Sequence, residues 1–80
     1  MKTVRVLYFA SLRDAVGLAE EDVSTEALDL AGLYAQVAQR HGLQWPTAHL
    51  RVASDGAFAR WSDAPQEGSE IAFIPPVSGG

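Results

Sequence analysis

The sequence predicts an α+β domain: a mixed sheet of four to five short strands, one long helix packed on one face, and a short helix after the first strand. Three observations lead there. Only one stretch has a sustained helical stripe of apolar residues. Several short segments rich in β-branched and aromatic residues are set apart by turn residues. The chain has 80 residues, enough for one domain, since domains typically run to roughly 100–200. A chain this short buries only about 60–65% of its unfolded surface, so a core and a self-contained catalytic cleft compete for the same few residues.

The elements follow in order. Residues 2–9 (KTVRVLYF) suit a pleated strand. Ser11 offers a helix N-cap, and Leu12, Ala15 and Val16 sit at helical spacing before Gly17, where a short helix should end. Residues 20–26 (EEDVSTE) alternate at Val23 and Thr25 and read as a solvated edge strand paired to the first. Asp29 is a good N-cap for a helix over 30–41, and Gly42 is placed to stop it. Leu30, Leu33, Tyr34, Val37, Ala38 and His41 make the single apolar stripe of that helix. Arg40 and His41 sit where a cation complements the helix C-terminus. After Trp45-Pro46, residues 50–53 (LRVA) and 57–60 (AFAR) flank Asp55-Gly56, a strong hairpin signal. Gly68-Ser69 is a further turn, and 70–74 (EIAFI) is the last strand, ended by Pro75 because proline cannot donate to a ladder. One long helix on such a sheet is the β-grasp, ubiquitin-like pattern. A ferredoxin-like sandwich needs a second long helix, which the sequence lacks. Residues 1–74 are thus read as the β-grasp domain and 75–80 as an extended tail.

Alternation splits the first strand into Val4, Val6 and Tyr8 on one face and Thr3, Arg5, Leu7 and Phe9 on the other. The last strand splits into Ile71 with Phe73 and Ala72 with Ile74. The single long helix covers one face only. The other is left with Leu7, Phe9, Ile74 and Phe58, and a contiguous apolar patch of this kind marks an interaction site. The competing reading has these residues satisfied by the short helix and by the loop around Trp45 and Trp61.

Composition excludes several classes of function. The net charge is −4, which argues against nucleic-acid binding, since phosphate neutralisation needs clustered Lys and Arg. No apolar run is long enough to span a membrane, and the N-terminus lacks the pattern of a signal peptide. With no cysteine there is no disulfide framework, thiolate metal site or thiol nucleophile. His41 and His49 lie in different elements without partners at ligand spacing, so no metal is expected. Asp14 and the run Glu20-Glu21-Asp22 read as solvated surface. Trp45, Trp61 and Tyr34 read as core or rim packing. A cytoplasmic domain is expected.

The chain finishes Pro75-Pro76-Val77-Ser78-Gly79-Gly80. Pro75-Pro76 favours an extended, stiff spacer. Glycine has no side chain, so Gly79-Gly80 can thread a narrow channel and present a terminal carboxylate to another protein's active site. A frayed terminus is the bland alternative.

Two segments, VRVLYFASLRDAVG at 4–17 and EGSEIAFIPPVSGG at 67–80, resemble the small subunits of molybdopterin synthase, a family of ubiquitin-like sulfur carriers. The likeness extends over nearly the whole chain and is weaker over roughly 43–64, where the family commonly has an Asn-containing turn and this chain has Ser54-Asp55-Gly56. The resemblance implies a non-catalytic subunit whose Gly80 carboxylate, preceded by Gly79, is adenylated by a partner activating enzyme using ATP. A sulfur donor then converts it to a thiocarboxylate. No cofactor is expected on the chain itself. The large synthase subunit is the implied second partner, in a heterotetramer of two small and two large subunits, with the catalytic pocket in the large one. Phe9, Arg13, Phe58, Ile74, Pro75, Pro76, Val77 and Ser78 are the implied partner contacts; for Arg13 a surface arginine covering apolar neighbours is the plain alternative. Two other functions compete: a related carrier serving thiamin synthesis, tRNA thiolation or protein conjugation, and an interaction module with an inert tail.

Overall fold

The structure is a computed structural model that describes residues 1–76. Its elements are β1 (Lys2–Tyr8), α1 (Ala10–Val16), β2 (Glu20–Thr25), α2 (Leu30–His41), a 3₁₀ turn (Thr47–His49), β3 (Arg51–Ser54), β4 (Ala57–Ala59) and β5 (Glu70–Ile74). The sheet is mixed and five-stranded, in the order β2-β1-β5-β3-β4. β1 pairs antiparallel with β2 and parallel with β5, and β3 pairs antiparallel with both β4 and β5. The two most apolar strands therefore sit inside the sheet, where both their edges are paired. This is the β-grasp arrangement expected from the sequence, with element ends differing by a residue or so.

Alternation decides the core. Val4, Val6 and Tyr8 of β1, Val23 of β2, Val52 of β3, and Ile71 and Phe73 of β5 are all buried on one face. Leu30, Leu33, Tyr34 and Val37 of α2 and Leu12 of α1 complete the cluster. Helix α2 is specified at both ends. The Asp29 side chain accepts from the Gly32 N–H at 2.8 Å, and Gly42 closes the helix with φ 70°, a left-handed conformation that costs a residue with a Cβ about 1 kcal/mol or more. The two N–H groups before Gly32 are also satisfied: Leu30 donates to the Asp63 carbonyl at 2.9 Å and Ala31 to that of Trp61 at 3.0 Å. The loop after β4 thus wraps the start of α2 and is pinned by Pro65, which is buried and accepts from Lys2 Nζ at 2.8 Å. Trp61 stacks on Phe73 with ring centroids 5.9 Å apart, and the Tyr34 hydroxyl donates to the Trp45 carbonyl at 2.6 Å. Both tryptophans are half-buried against the core.

Two expectations are corrected. Ser11 does not cap α1. The chain turns sharply at Ala10, which has φ 49°, so the helix begins one residue before Ser11 and Phe9 occupies the cap position without a side-chain bond. The Phe9 carbonyl closes the first turn by accepting from Leu12 and Arg13. Glu21 is not solvated surface. Its side chain is only 14% exposed and shares the buried-side parity of Val23 and Thr25. The Tyr8 hydroxyl donates to Glu21 Oε2 at 2.5 Å, His41 Nε2 lies 2.6 Å from the same oxygen, and Arg40 reaches Glu21 Oε1 at 3.5 Å. This carboxylate ties β2 to β1 and to the end of α2.

Candidate functional site

The face of the sheet opposite α2 has no element of the described residues over it. Register lines up one residue from each of four strands: Leu7 of β1 pairs with Ala72 of β5, Ala72 with Ala53 of β3, and Ala53 with Phe58 of β4. The two alanines in the middle are short, so the row is low at its centre and high at its ends. The outcome is a shallow recess of about 300 Å³, floored by Ala53 and Ala72 and walled by Leu7, Phe9, Phe58 and Ile74. Phe58 is 74% exposed and Phe9 45%. An exposed wall of two phenylalanines around a small-residue floor is suited to receiving apolar side chains of another protein.

A second hollow, of about 680 Å³, lies where the chain leaves β5. It runs from the 3₁₀ turn and Arg51 past Phe58 and Trp61 to Ile74, Pro75 and Pro76. Phe58 and Ile74 line both hollows and form the ridge between them. Of the expected contacts, Phe9, Phe58 and Ile74 are brought together by the sheet. Pro75 is buried within the fold and Pro76 is exposed, so the described chain reaches the surface at Pro76. Arg13 is exposed on α1, one turn beyond Phe9, and lines neither hollow. Val77, Ser78, Gly79 and Gly80 lie outside the described residues.

Charge divides the open face. Its end toward Thr3 holds Arg5, whose Nε donates to Asp22 at 3.1 Å and whose Nη1 lies 3.9 Å from Glu20, with Glu70 opposite Arg5 in register. The other end is mainly apolar, with Arg51 opposite Ile74 at its margin. Sequence reading put Ala72 on the open face by alternation but did not single out Ala53 or Arg51, and the two alanines become a floor only through cross-strand register; small residues on an outward strand face are the signal to look for.

The described residues show no constellation suited to acid–base or nucleophilic chemistry. The most enclosed titratable group, Glu21 with Tyr8 and His41, is structural. Burial pushes the Glu21 carboxyl up, but hydrogen bonds from Tyr8 and His41, with the nearby charges of His41 and Arg40, outweigh it and hold the pKa below the usual carboxylate value. Burial first, then the bond to Glu21, pushes the Tyr8 phenol well above its ordinary value. Such a set ties the sheet to the helix.

Known proteins agree with this architecture. The model of the ThiS family matches residues 6–80. A molybdopterin synthase sulfur carrier subunit of Mycosarcoma maydis is 35% identical, over 98% of this chain and 94% of its own. The protein of that name from Haemophilus influenzae is 31% identical, over 96% of this chain and 99% of its own. Among solved structures, SAMP1 from Haloferax volcanii superposes with a TM-score of 0.83 at 23% identity, covering 98% of this chain and 99% of that one. A chain of the complex of subunits 1 and 2 of the molybdopterin-converting factor from Helicobacter pylori superposes with a TM-score of 0.67 at 23% identity, covering 98% and 99%. A family model spanning nearly the whole sequence, with relatives matched end to end at more than 30% identity, means that this chain belongs to the ThiS family, beside the molybdopterin synthase sulfur carrier subunits.

Proposed function

We propose that this chain is a sulfur carrier of molybdenum cofactor synthesis and that the reacting atom is the carboxyl carbon of Gly80. The observation that supports this most is a combination. A Pro-Pro-Val-Ser-Gly-Gly segment follows directly from an inner strand, beside an uncovered apolar face, in a chain whose relatives are named as the sulfur carrier subunits of molybdopterin synthase.

The chemistry follows from the functional group. A carboxylate is a poor electrophile, because its charge is delocalised and its leaving group would be oxide. An activating enzyme joins the Gly80 carboxylate to the α-phosphate of ATP, releasing pyrophosphate, and the acyl-adenylate then carries AMP as a good leaving group. Sulfide-level sulfur supplied by a donor attacks the carbonyl carbon, the acyl–phosphate bond breaks, AMP departs, and a thiocarboxylate results. Its sulfur passes to the pterin precursor in the large subunit, and hydrolysis of the spent acyl group restores the carboxylate. The chain has no cysteine, which fits a carrier that holds sulfur on its backbone terminus and not as a persulfide. The globular part docks through Phe9, Phe58 and Ile74, with Arg13 at the margin; Pro75 anchors the start of the tail in the fold, and Pro76, Val77 and Ser78 conduct Gly79-Gly80 into the partner. The assembly is two small and two large subunits in the cytoplasm.

Incubation with ATP, the activating enzyme and a sulfur donor should raise the intact mass by about 16 Da, the difference between oxygen and sulfur at one atom. An unchanged mass refutes the carrier role. Reconstitution of the charged protein with the large subunit and pterin precursor separates this pathway from thiamin synthesis, tRNA thiolation or protein conjugation. An unaltered biological role after deletion of Gly79-Gly80 would make the tail inert.

A further inference from the structure

The arginines are not used alike. Arg5 is held by Asp22 and Glu20, and Arg40, at the end of α2, by Glu21. Arg51 is exposed on β3, opposite Ile74 in register, and among the described residues no carboxylate pairs with it. Its guanidinium carbon stands 5.8 Å from the centre of the Phe58 ring, within the range of a cation–π contact. A guanidinium resting on a ring is oriented in advance, with its N–H fork free to meet a planar anion. None of the residues lining the tail-exit hollow is acidic, and His49 joins Arg51 there. On a chain of net charge −4, this is a positive site beside an apolar wall, with no carboxylate paired to it among the described residues.

We propose that this hollow receives an acidic segment of the protein partner, with a carboxylate side chain on Arg51 and a neighbouring apolar side chain against Phe58, Ile74 and Pro75. The apolar wall is what selects a protein segment over a free anion, which would leave Phe58 and Ile74 uncovered. Naming the partner as the large synthase subunit rests on the function proposed above. Arg51 then fixes how the domain is oriented next to the point where its tail departs, and it does so through chemistry separate from the recess around Ala53 and Ala72.

Calorimetric titration of the intact protein with the large subunit from the same source tests this, using Arg51→Gln, Arg51→Glu and, as a control cation at the far side of the sheet, Arg40→Gln. Loss of a charge-assisted bond should weaken binding about tenfold for Arg51→Gln, and charge reversal should weaken it further. The differences should shrink between about 50 mM and about 500 mM salt. Arg40→Gln should bind like the parent. Affinities for Arg51→Glu within about twofold of the parent overturn the inference while leaving the carrier function standing. A parent protein that does not bind the large subunit at all overturns both. Equal weakening by Arg40→Gln shows a diffuse charge effect and likewise refutes a pairing role for Arg51. Trp61 lines the hollow, so its fluorescence supplies a second readout. A change in that signal on removing residues 77–80 without partner would give the hollow to this chain's own tail and refute the proposed occupant.

Discussion

Tyr8→Phe isolates one bond at the junction of β1, β2 and α2. The ring is 2% exposed and keeps its packing in the variant; only the hydroxyl that donates to Glu21 at 2.5 Å disappears. Hydrogen bonds to charged groups contribute about 1.5–3 kcal/mol. Glu21 keeps His41 at 2.6 Å and Arg40 at 3.5 Å, so its carboxylate is not orphaned and the cost lies near the lower end, about 1.5 kcal/mol. The half-exposed Arg40 pair contributes less than about 1 kcal/mol, so it does not mask the effect. For a domain of this size the melting temperature should fall by about 10 °C. The pH dependence gives a second check. The folded pKa of Glu21 is held below its unfolded value. Its stabilisation is therefore complete above about pH 4.3 and is lost as the pH falls through the folded pKa. Removing the Tyr8 bond removes one cause of that shift, so the penalty should be smaller at about pH 3 than at pH 7. Urea denaturation of both proteins at the two pH values measures this. A loss below about 0.5 kcal/mol at pH 7, or an equal loss at both pH values, would refute the staple.

Other outcomes follow from the same structure. Leu33→Ala empties a fully buried position under α2 and should destabilise by about 2–5 kcal/mol in urea unfolding. Asp29→Ala removes the cap on Gly32 and should cost about 1 kcal/mol in the same measurement. Phe9→Asp and Phe58→Asp alter exposed residues; both variants should keep the parent's near-ultraviolet circular dichroism and lose affinity for the large subunit. Unfolding of either would mean that the open face is part of the core.

Much of the fold was legible because local and long-range signals coincide. The Asp29 cap, the stripe from Leu30 to Val37 and Gly42 all define the same helix, and Asp55-Gly56 turns the chain with φ 51° and 87°, as a tight hairpin requires. Glu21 was hidden by its acidic neighbours. Its parity with Val23 pointed inward, but the partners that make burial affordable, Tyr8 and His41, come from other elements. Ser11 failed as a cap because the corner at Ala10 is set by how α1 must pack Leu12 into the core, which outweighs local capping preference. The face carrying Phe9, Phe58 and Ile74 followed from alternation. Its depth did not, because Ala53 and Ala72 become a floor only once β3 and β5 are in register.

The parallel pairing of β1 with β5 joins the first strand of the described residues to the last. β5 fills the gap between β1 and β3, so the sheet stays open until residue 74 has emerged, and pairings of such long sequence separation form late. A chain interrupted before that point lacks an inner strand and cannot offer a finished docking face.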